Sequence, residues 1–365
     1  MAALFPLAGT NPPFVGGLSS QPNDFSLSLT YTGGGVTSPY QLAIDASGNA
    51  WTTNRSSSTI SELSSIGTPI STSTGFTGGG LSTPDYLAID NSGNVWVTNG
   101  SATAPSVSKF NSSGQAVTTS SGYTGGGLTG PRGIGIDASG NVWVSNPGNN
   151  VLSKLNSSGQ PVSSTGYTGG GLNAPYGVAI DFSGNVWTGN YTSTGSFSKF
   201  GSTGTPANST GYTGGGLYYP SWVAIDASGY VWTANENQSP PGNSPNSISK
   251  FSNAGTPANS SGYTGGGISS PVAVAIDGAG KVWILNSSYG SLSVFTNTGT
   301  AVATSAYGST TFNFSLGFAL DGSGDAWVGN YSANAVTEYI GVATPVVTPI
   351  VASLLSPYTT PASKP

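Results

Sequence analysis

Short runs in which apolar and small polar residues alternate recur along the whole chain, and none keeps the i, i+3, i+4 spacing of an amphipathic helix. One full set lies between residues 176 and 212. "YGVAID" (176–181) and "NVWTGN" (185–190) are rich in β-branched and aromatic residues, "SFSKF" (196–200) alternates, and "ANSTGY" (207–212) follows a "GSTGTP" turn. The intervening "DFSGN" reads as a tight turn, with Gly where φ is positive and Asp placed to accept turn amides. Four short strands, A to D, are therefore expected from about 40 residues.

The set repeats. Asp45, Asp90, Asp137, Asp181, Asp226, Asp277 and Asp321 are spaced by 45, 47, 44, 45, 51 and 44 residues, each with a Trp six positions on and an Asn nine positions on. "YTGGG" recurs ahead of them at Tyr31, Tyr123, Tyr167, Tyr212 and Tyr263, with Phe76 heading a sixth copy. A period of this size with no helical segment inside it marks a β-propeller with one blade per repeat. The expectation is an all-β fold, a seven-bladed β-propeller of four-stranded antiparallel blades. Residues 315–321, 325–330 and 335–340 give the last blade only three strands, and residues 25–31 offer a fourth, so an N-terminal strand is expected to complete it. The organisation expected is an arm at 1–23, the propeller at 24–341 and a Pro-rich tail at 342–365 lying over the surface.

The repeat also disposes of an apparent nucleotide loop. Gly125, Gly127 and Gly130 match G-x-G-x-x-G, but Pro131 and a strand follow where a dinucleotide site needs a helix N-terminus. The glycines are connectors from one blade to the next. The seven tryptophans, identically placed, are expected to fill the wedges between blades.

Composition narrows the chemistry. Charged residues are 6% of the chain, against about 25% in an ordinary soluble domain, yet aromatics reach 10% and supply a core. The net charge of −5 speaks against nucleic acid as a partner. There is no Cys and no His, which removes thiolate chemistry and the commonest general base. Residues 339–358 are uncharged and long enough to span a bilayer, but three prolines argue against a membrane helix, so no span is expected. No secretory signal is visible in residues 1–10. Lys109, Lys154, Lys199 and Lys250 share one position in strand C, which Glu62 and Glu338 occupy elsewhere. They are expected on a solvated face. The turn aspartates are expected to cap their own turns; no cofactor is expected, with a ring of them around Ca²⁺ or Mg²⁺ as the alternative.

The unit "P-x-x-x-A-I-D-x-S-G-N-V-W-V-x-N" resembles the NHL-repeat and virginiamycin B lyase-like propellers of bacteria over roughly residues 24–350. "VTEYIGVATPVVTPIV" (336–351) is similar to the closing segment of secreted or cell-surface members. The resemblance implies the architecture and an extracellular or cell-surface location. It implies for the lyases a His base, acidic residues and Mg²⁺, and this chain has no His onto which that base could be carried.

What differs between repeats points to a site. The A–B and C–D turns share one face of the disc, while the D–A and B–C connections share the other and are the variable ones. After the proline that opens strand A the repeats diverge, giving Tyr40, Asp85, Arg132, Tyr176 and Trp222 as candidate ligand-binding residues. Repeat five adds Tyr218 and Tyr219, and its long B–C loop adds Glu236. No residue is assigned a catalytic or metal-binding role. The first expectation is a monomeric, non-catalytic scaffold that binds a glycan or peptide. A lyase-like or lactonase-like enzyme working with Asp85, Glu236 and a divalent metal is a second, and a structural or adhesive surface module a third.

Overall fold

The turn aspartate organises each repeat. Asp181 Oδ1 accepts the amides of Ser183 and Asn185 at 2.9 and 2.8 Å, and its Oδ2 accepts the Trp187 indole N–H at 3.2 Å. The same indole bond recurs in all seven repeats at 2.9–3.2 Å. A buried indole N–H needs an acceptor, and the residue that shapes the turn supplies it.

The computed structural model describes residues 27–236, 246–287, 290–308 and 315–348. The arm at 1–23, most of the long B–C loop of repeat five and the tail beyond 348 lie outside them. The described residues are all β apart from one 3-10 turn, Tyr331–Ala333, and no helix among them is long and apolar enough to cross a membrane. They form seven antiparallel sheets in chain order, the arrangement of a propeller. Sheet 4 is representative: Pro175–Ile180 (A) pairs with Val186–Asn190 (B), and B with Ser196–Phe200 (C). Sheet 7 consists of Ser315–Leu320, Ala326–Asn330 and Ala335–Tyr339, and Ser28–Tyr31 pairs with the last of these in antiparallel register.

Strand B is buried on both faces, and its Trp packs onto the next sheet. Trp51 shares a core with Leu87, Ile89 and Val95 of sheet 2, and Trp187 with Val223 and Val231 of sheet 5. Trp327 of sheet 7 meets Leu42 and Ile44 of sheet 1. Removing such a ring from water is worth roughly 4–6 kcal/mol.

The strand C lysines are not on a solvated face. Trp187 stands opposite Lys199 in the sheet, so the lysine stem folds across the ring. Lys109, Lys154 and Lys199 place Nζ 4.4, 4.8 and 4.8 Å from the ring centroids of Trp96, Trp143 and Trp187. Each ammonium then donates to a turn carbonyl of the following sheet, Ser157, Ser202 or Asn253, at 3.0, 2.8 and 2.8 Å. The cations are sheet-to-sheet ties.

Strand D also departs from expectation. In six sheets it is reduced to two isolated bridges, such as Phe200↔Pro206 and Phe197↔Tyr212 in sheet 4. Pro206 lacks a donor, and Asn208 Oδ1 takes the Gly211 amide at 2.6 Å, so the polar segment closes a local turn instead of a ladder. The glycine triplet that follows runs at positive φ throughout, 88°, 62° and 74° at Gly169, Gly170 and Gly171. In sheet 3 the carbonyl of Gly126 accepts the Ser153 hydroxyl at 2.6 Å. The triplet is thus fixed by its carbonyls, as a connector.

Candidate functional site

In five of the seven sheets the inner strand, A, opens with a proline and then loses register. The pairing slips between Pro39 and Leu42, Pro84 and Leu87, Pro175 and Val178, Pro220 and Val223. Such a bulge kinks the strand and re-aims its side chains. The residue before the proline sits in the left-handed region, at φ 48° for Ser38, 52° for Thr83, 50° for Ala174 and 44° for Tyr219. That conformation costs a non-glycine residue roughly 1–2 kcal/mol, and here it bends each D–A connection over the rim.

The bulged residues converge. Tyr86 of sheet 2 lies 5.9 Å from Tyr40 of sheet 1, 5.9 Å from Tyr176 of sheet 4 and 5.1 Å from Trp222 of sheet 5, centroid to centroid. Rings from sheets 2 and 5 meet only across the axis, so these side chains fill the centre of the disc. Tyr86 and Tyr40 are buried, and Trp222 and Tyr176 are half-buried.

Beside them Asp85 is wholly buried, at 0% exposure, and enclosed by two guanidiniums. Arg55 Nε lies 3.0 Å from Oδ1 and Arg132 Nη1 3.3 Å from Oδ2, with the arginine side chains 31% and 26% exposed. Arg132 also donates to the Tyr40 hydroxyl at 3.3 Å. Arg55 lies over the Tyr40 ring at 4.9 Å, and Arg132 over Tyr176 at 5.5 Å. Gly100 covers the carboxylate so closely that an added Cβ would stand 2.1 Å from Oδ2. Burial raises the Asp85 pKa, and Arg132 and Arg55 oppose the rise. Burial likewise lifts the phenols of Tyr40 and Tyr86 above their usual range.

A second arm of aromatics leads outward. Tyr176 stacks on Tyr191 at 4.9 Å, Tyr191 meets Tyr219 at 5.1 Å, and Tyr219 meets Tyr218 at 4.8 Å. The Tyr191 hydroxyl donates to Glu236 Oε2 at 2.8 Å, and burial beside that carboxylate holds the phenol protonated.

All eight residues singled out from the sequence therefore lie in one connected cluster. Tyr40, Asp85, Arg132, Tyr176 and Trp222 surround the axis, while Tyr218, Tyr219 and Glu236 join through Tyr191. Sequence reasoning missed Arg55, Tyr86, Tyr191 and Tyr331, the last 6.4 Å from Tyr40. A signal existed. Arg55, Tyr191, Glu236 and Tyr331 all occupy the position just after the Asn that ends strand B.

Acids come together elsewhere, in sheet 7, where Asp321, Asp325 and Glu338 offer oxygens within 4.8 Å of one another. The donors already present account for them. Asp321 Oδ1 accepts the amides of Ser323 and Asp325, both at 2.8 Å, and Asp325 Oδ1 accepts the Gly341 amide. Glu338 Oε2 takes the Tyr31 hydroxyl at 2.6 Å. A hard cation would need six to eight converging oxygens.

The fold is that of a virginiamycin B lyase-like β-propeller. No protein-family model matches the sequence, and no curated protein matches it. Among solved structures the chain is similar to virginiamycin B lyase from Staphylococcus aureus, at 14% identity and a TM-score of 0.67, covering 86% of this chain and 98% of that one. It is similar to a gluconolactonase from Xanthomonas campestris at 11% identity and a TM-score of 0.52, over 85% and 96% of the two chains. It is also similar to the extracellular domain of a hybrid two component system from B. thetaiotaomicron, at 15% and 0.61, over 88% of this chain and 40% of that one. At these identities the likeness is one of fold.

Proposed function

We propose that the chain is a seven-bladed propeller of NHL-type repeats, its last blade completed by the N-terminal strand, with residues 24–341 as the ring. It acts as a monomeric, non-catalytic binding scaffold, secreted or at the surface of a bacterium, and holds a glycan or peptide on the face of its variable loops. One observation carries this reading. The side chains that differ between repeats meet across the axis, while the repeated ones tie sheet to sheet. Half-buried rings beside fixed polar groups are the makings of a recognition site. Asp85 is engaged by two guanidiniums and Glu236 by a phenol, a disposition that favours holding a ligand over moving a proton. The location rests on the fold shared with an extracellular sensor domain.

The test is a paired glycan array and peptide library, read with the wild type and Trp222→Ala. Binding to members of one panel, weakened about tenfold or more in Trp222→Ala at unchanged melting temperature, is the expected result; each tenfold is about 1.4 kcal/mol. Silence on both panels overturns the reading.

A further inference from the structure

The whole chain contains two arginines, Arg55 and Arg132, and both are spent on one buried aspartate. They come from different sheets and different kinds of loop, a B–C connection and the start of an inner strand. Two positive charges against one negative leave this centre with an excess of one, in a chain whose net charge is −5. Asp85 is sealed from solvent, whereas each guanidinium keeps about a quarter to a third of its side chain exposed. Each guanidinium also lies over a tyrosine ring. A guanidinium fixed in this way presents its remaining N–H groups as a preorganised donor edge, the geometry that recognises a carboxylate.

We infer that the site takes an acidic carbohydrate, a uronic-acid-containing oligosaccharide, whose carboxylate sits on Arg55 and Arg132 while neighbouring sugar rings lie on Trp222 and Tyr191. This deepens the binding role proposed above and rests on it. The aromatic arm from Tyr176 to Tyr219 runs away from the arginines, so a chain of rings is matched along its length and the charge is read at one end. Glu236, at the far end on Tyr191, suits the neutral hydroxyls of a further sugar. An acidic peptide is a poorer fit. Peptides engage β-structure by adding to an open strand edge, and five of the seven inner strands open with a proline and then a bulge, which interrupts the ladder a peptide would extend.

The experiment is calorimetric titration of the full chain with three probes: a tetragalacturonate, a cellotetraose of similar length without charge, and a tetraglutamate peptide. Tetragalacturonate is expected to bind at least tenfold more tightly than cellotetraose, and more weakly as salt rises. Arg132→Gln is expected to remove that preference, Arg132→Lys to restore part of it, and Trp222→Ala to weaken both sugars. Because Arg132→Gln leaves Asp85 with one partner, its fold is checked by circular dichroism. Arg55→Gln gives an independent route to the same loss of preference. Equal binding of the two sugars, unchanged by Arg132→Gln and Arg55→Gln, overturns the acidic specificity but leaves a glycan-binding scaffold. Preference for tetraglutamate overturns the carbohydrate assignment. If none of the three binds and the glycan and peptide panels are also silent, the binding role itself fails.

Discussion

At the strand C position opposite the tryptophan, sheets 2 to 5 carry lysine and sheets 1 and 7 carry glutamate. The lysines find a ring and a carbonyl of the next sheet, and Lys154 and Lys199 a turn carboxylate as well. Glu62 and Glu338 are buried in the same kind of place, beside a turn carboxylate of their own sign. Burial, with Asp45 nearby, pushes the Glu62 pKa up to about 7. Burial, with Asp325 and Asp321 nearby, pushes Glu338 up to about 8, while the Tyr31 hydroxyl works against the rise. Asp325, which hydrogen-bonds Glu338, rises to about 6 for the same reasons. These folded-state values lie above those of an unfolded chain, so the folded protein binds more protons between roughly pH 4 and 8. The stability these three groups contribute is therefore fully present below that window and is lost as pH rises through it. Glu338→Gln removes one proton-binding step and one buried charge. It is expected to stabilise the protein by about 1–2 kcal/mol at pH 8.5, one pKa unit being about 1.4 kcal/mol, with little effect at pH 5. Urea denaturation at the two pH values measures both; a wild type more stable at pH 8.5 than at pH 5 would contradict the account.

At the scale of elements, strands A, B and C were legible because each carries its own signature: a proline, a turn aspartate with its tryptophan, and alternation. Strand D was not, because its Ser, Thr and Asn side chains satisfy the backbone locally, which alternation alone does not reveal. The C–D turns hold a second sheet-to-sheet device. A Cβ on Gly159 of sheet 3 would lie 2.2 Å from the Tyr123 ring that belongs to sheet 2, and Gly159 has φ 81°. Gly140 shares the backbone conformation, at φ 78°, but its nearest neighbour would be Ser157 Cβ at 3.5 Å. The pair separates the two costs. Gly140→Ala is expected to lose roughly 1–2 kcal/mol from backbone strain alone. Gly159→Ala adds the displacement of a packed ring, for a total of roughly 2–4 kcal/mol. Denaturation midpoints at unchanged slope report the difference; equal losses would mean that the tyrosine does not depend on the glycine for its place.

For the whole molecule, the repeat period carried the architecture, and subtraction of the repeat carried most of the central cluster. What it missed depends on geometry that no local spacing encodes. The contact between Tyr86 and Trp222 reflects the width of the disc, and Arg55 reaches Asp85 from the preceding repeat, across a sheet boundary. The N-terminal strand raises the same issue of long-range closure. Tyr31 stacks on Trp327 at 5.8 Å and donates to Glu338, while Ser28–Tyr31 covers the edge of Ala335–Tyr339. Removing residues 1–31 strips that ring and bares a strand edge where other chains could pair. Melting is expected to fall by about 5–10 °C, given the few kcal/mol those contacts supply. A peptide spanning residues 24–35 added in trans is expected to restore it in proportion to its concentration, since it binds only the folded ring. Tyr31→Phe keeps the strand and loses the hydroxyl, so it should cost far less than the deletion. A truncated chain that melts like the intact one, with no response to the peptide, would show that the ring holds together without its terminal strand.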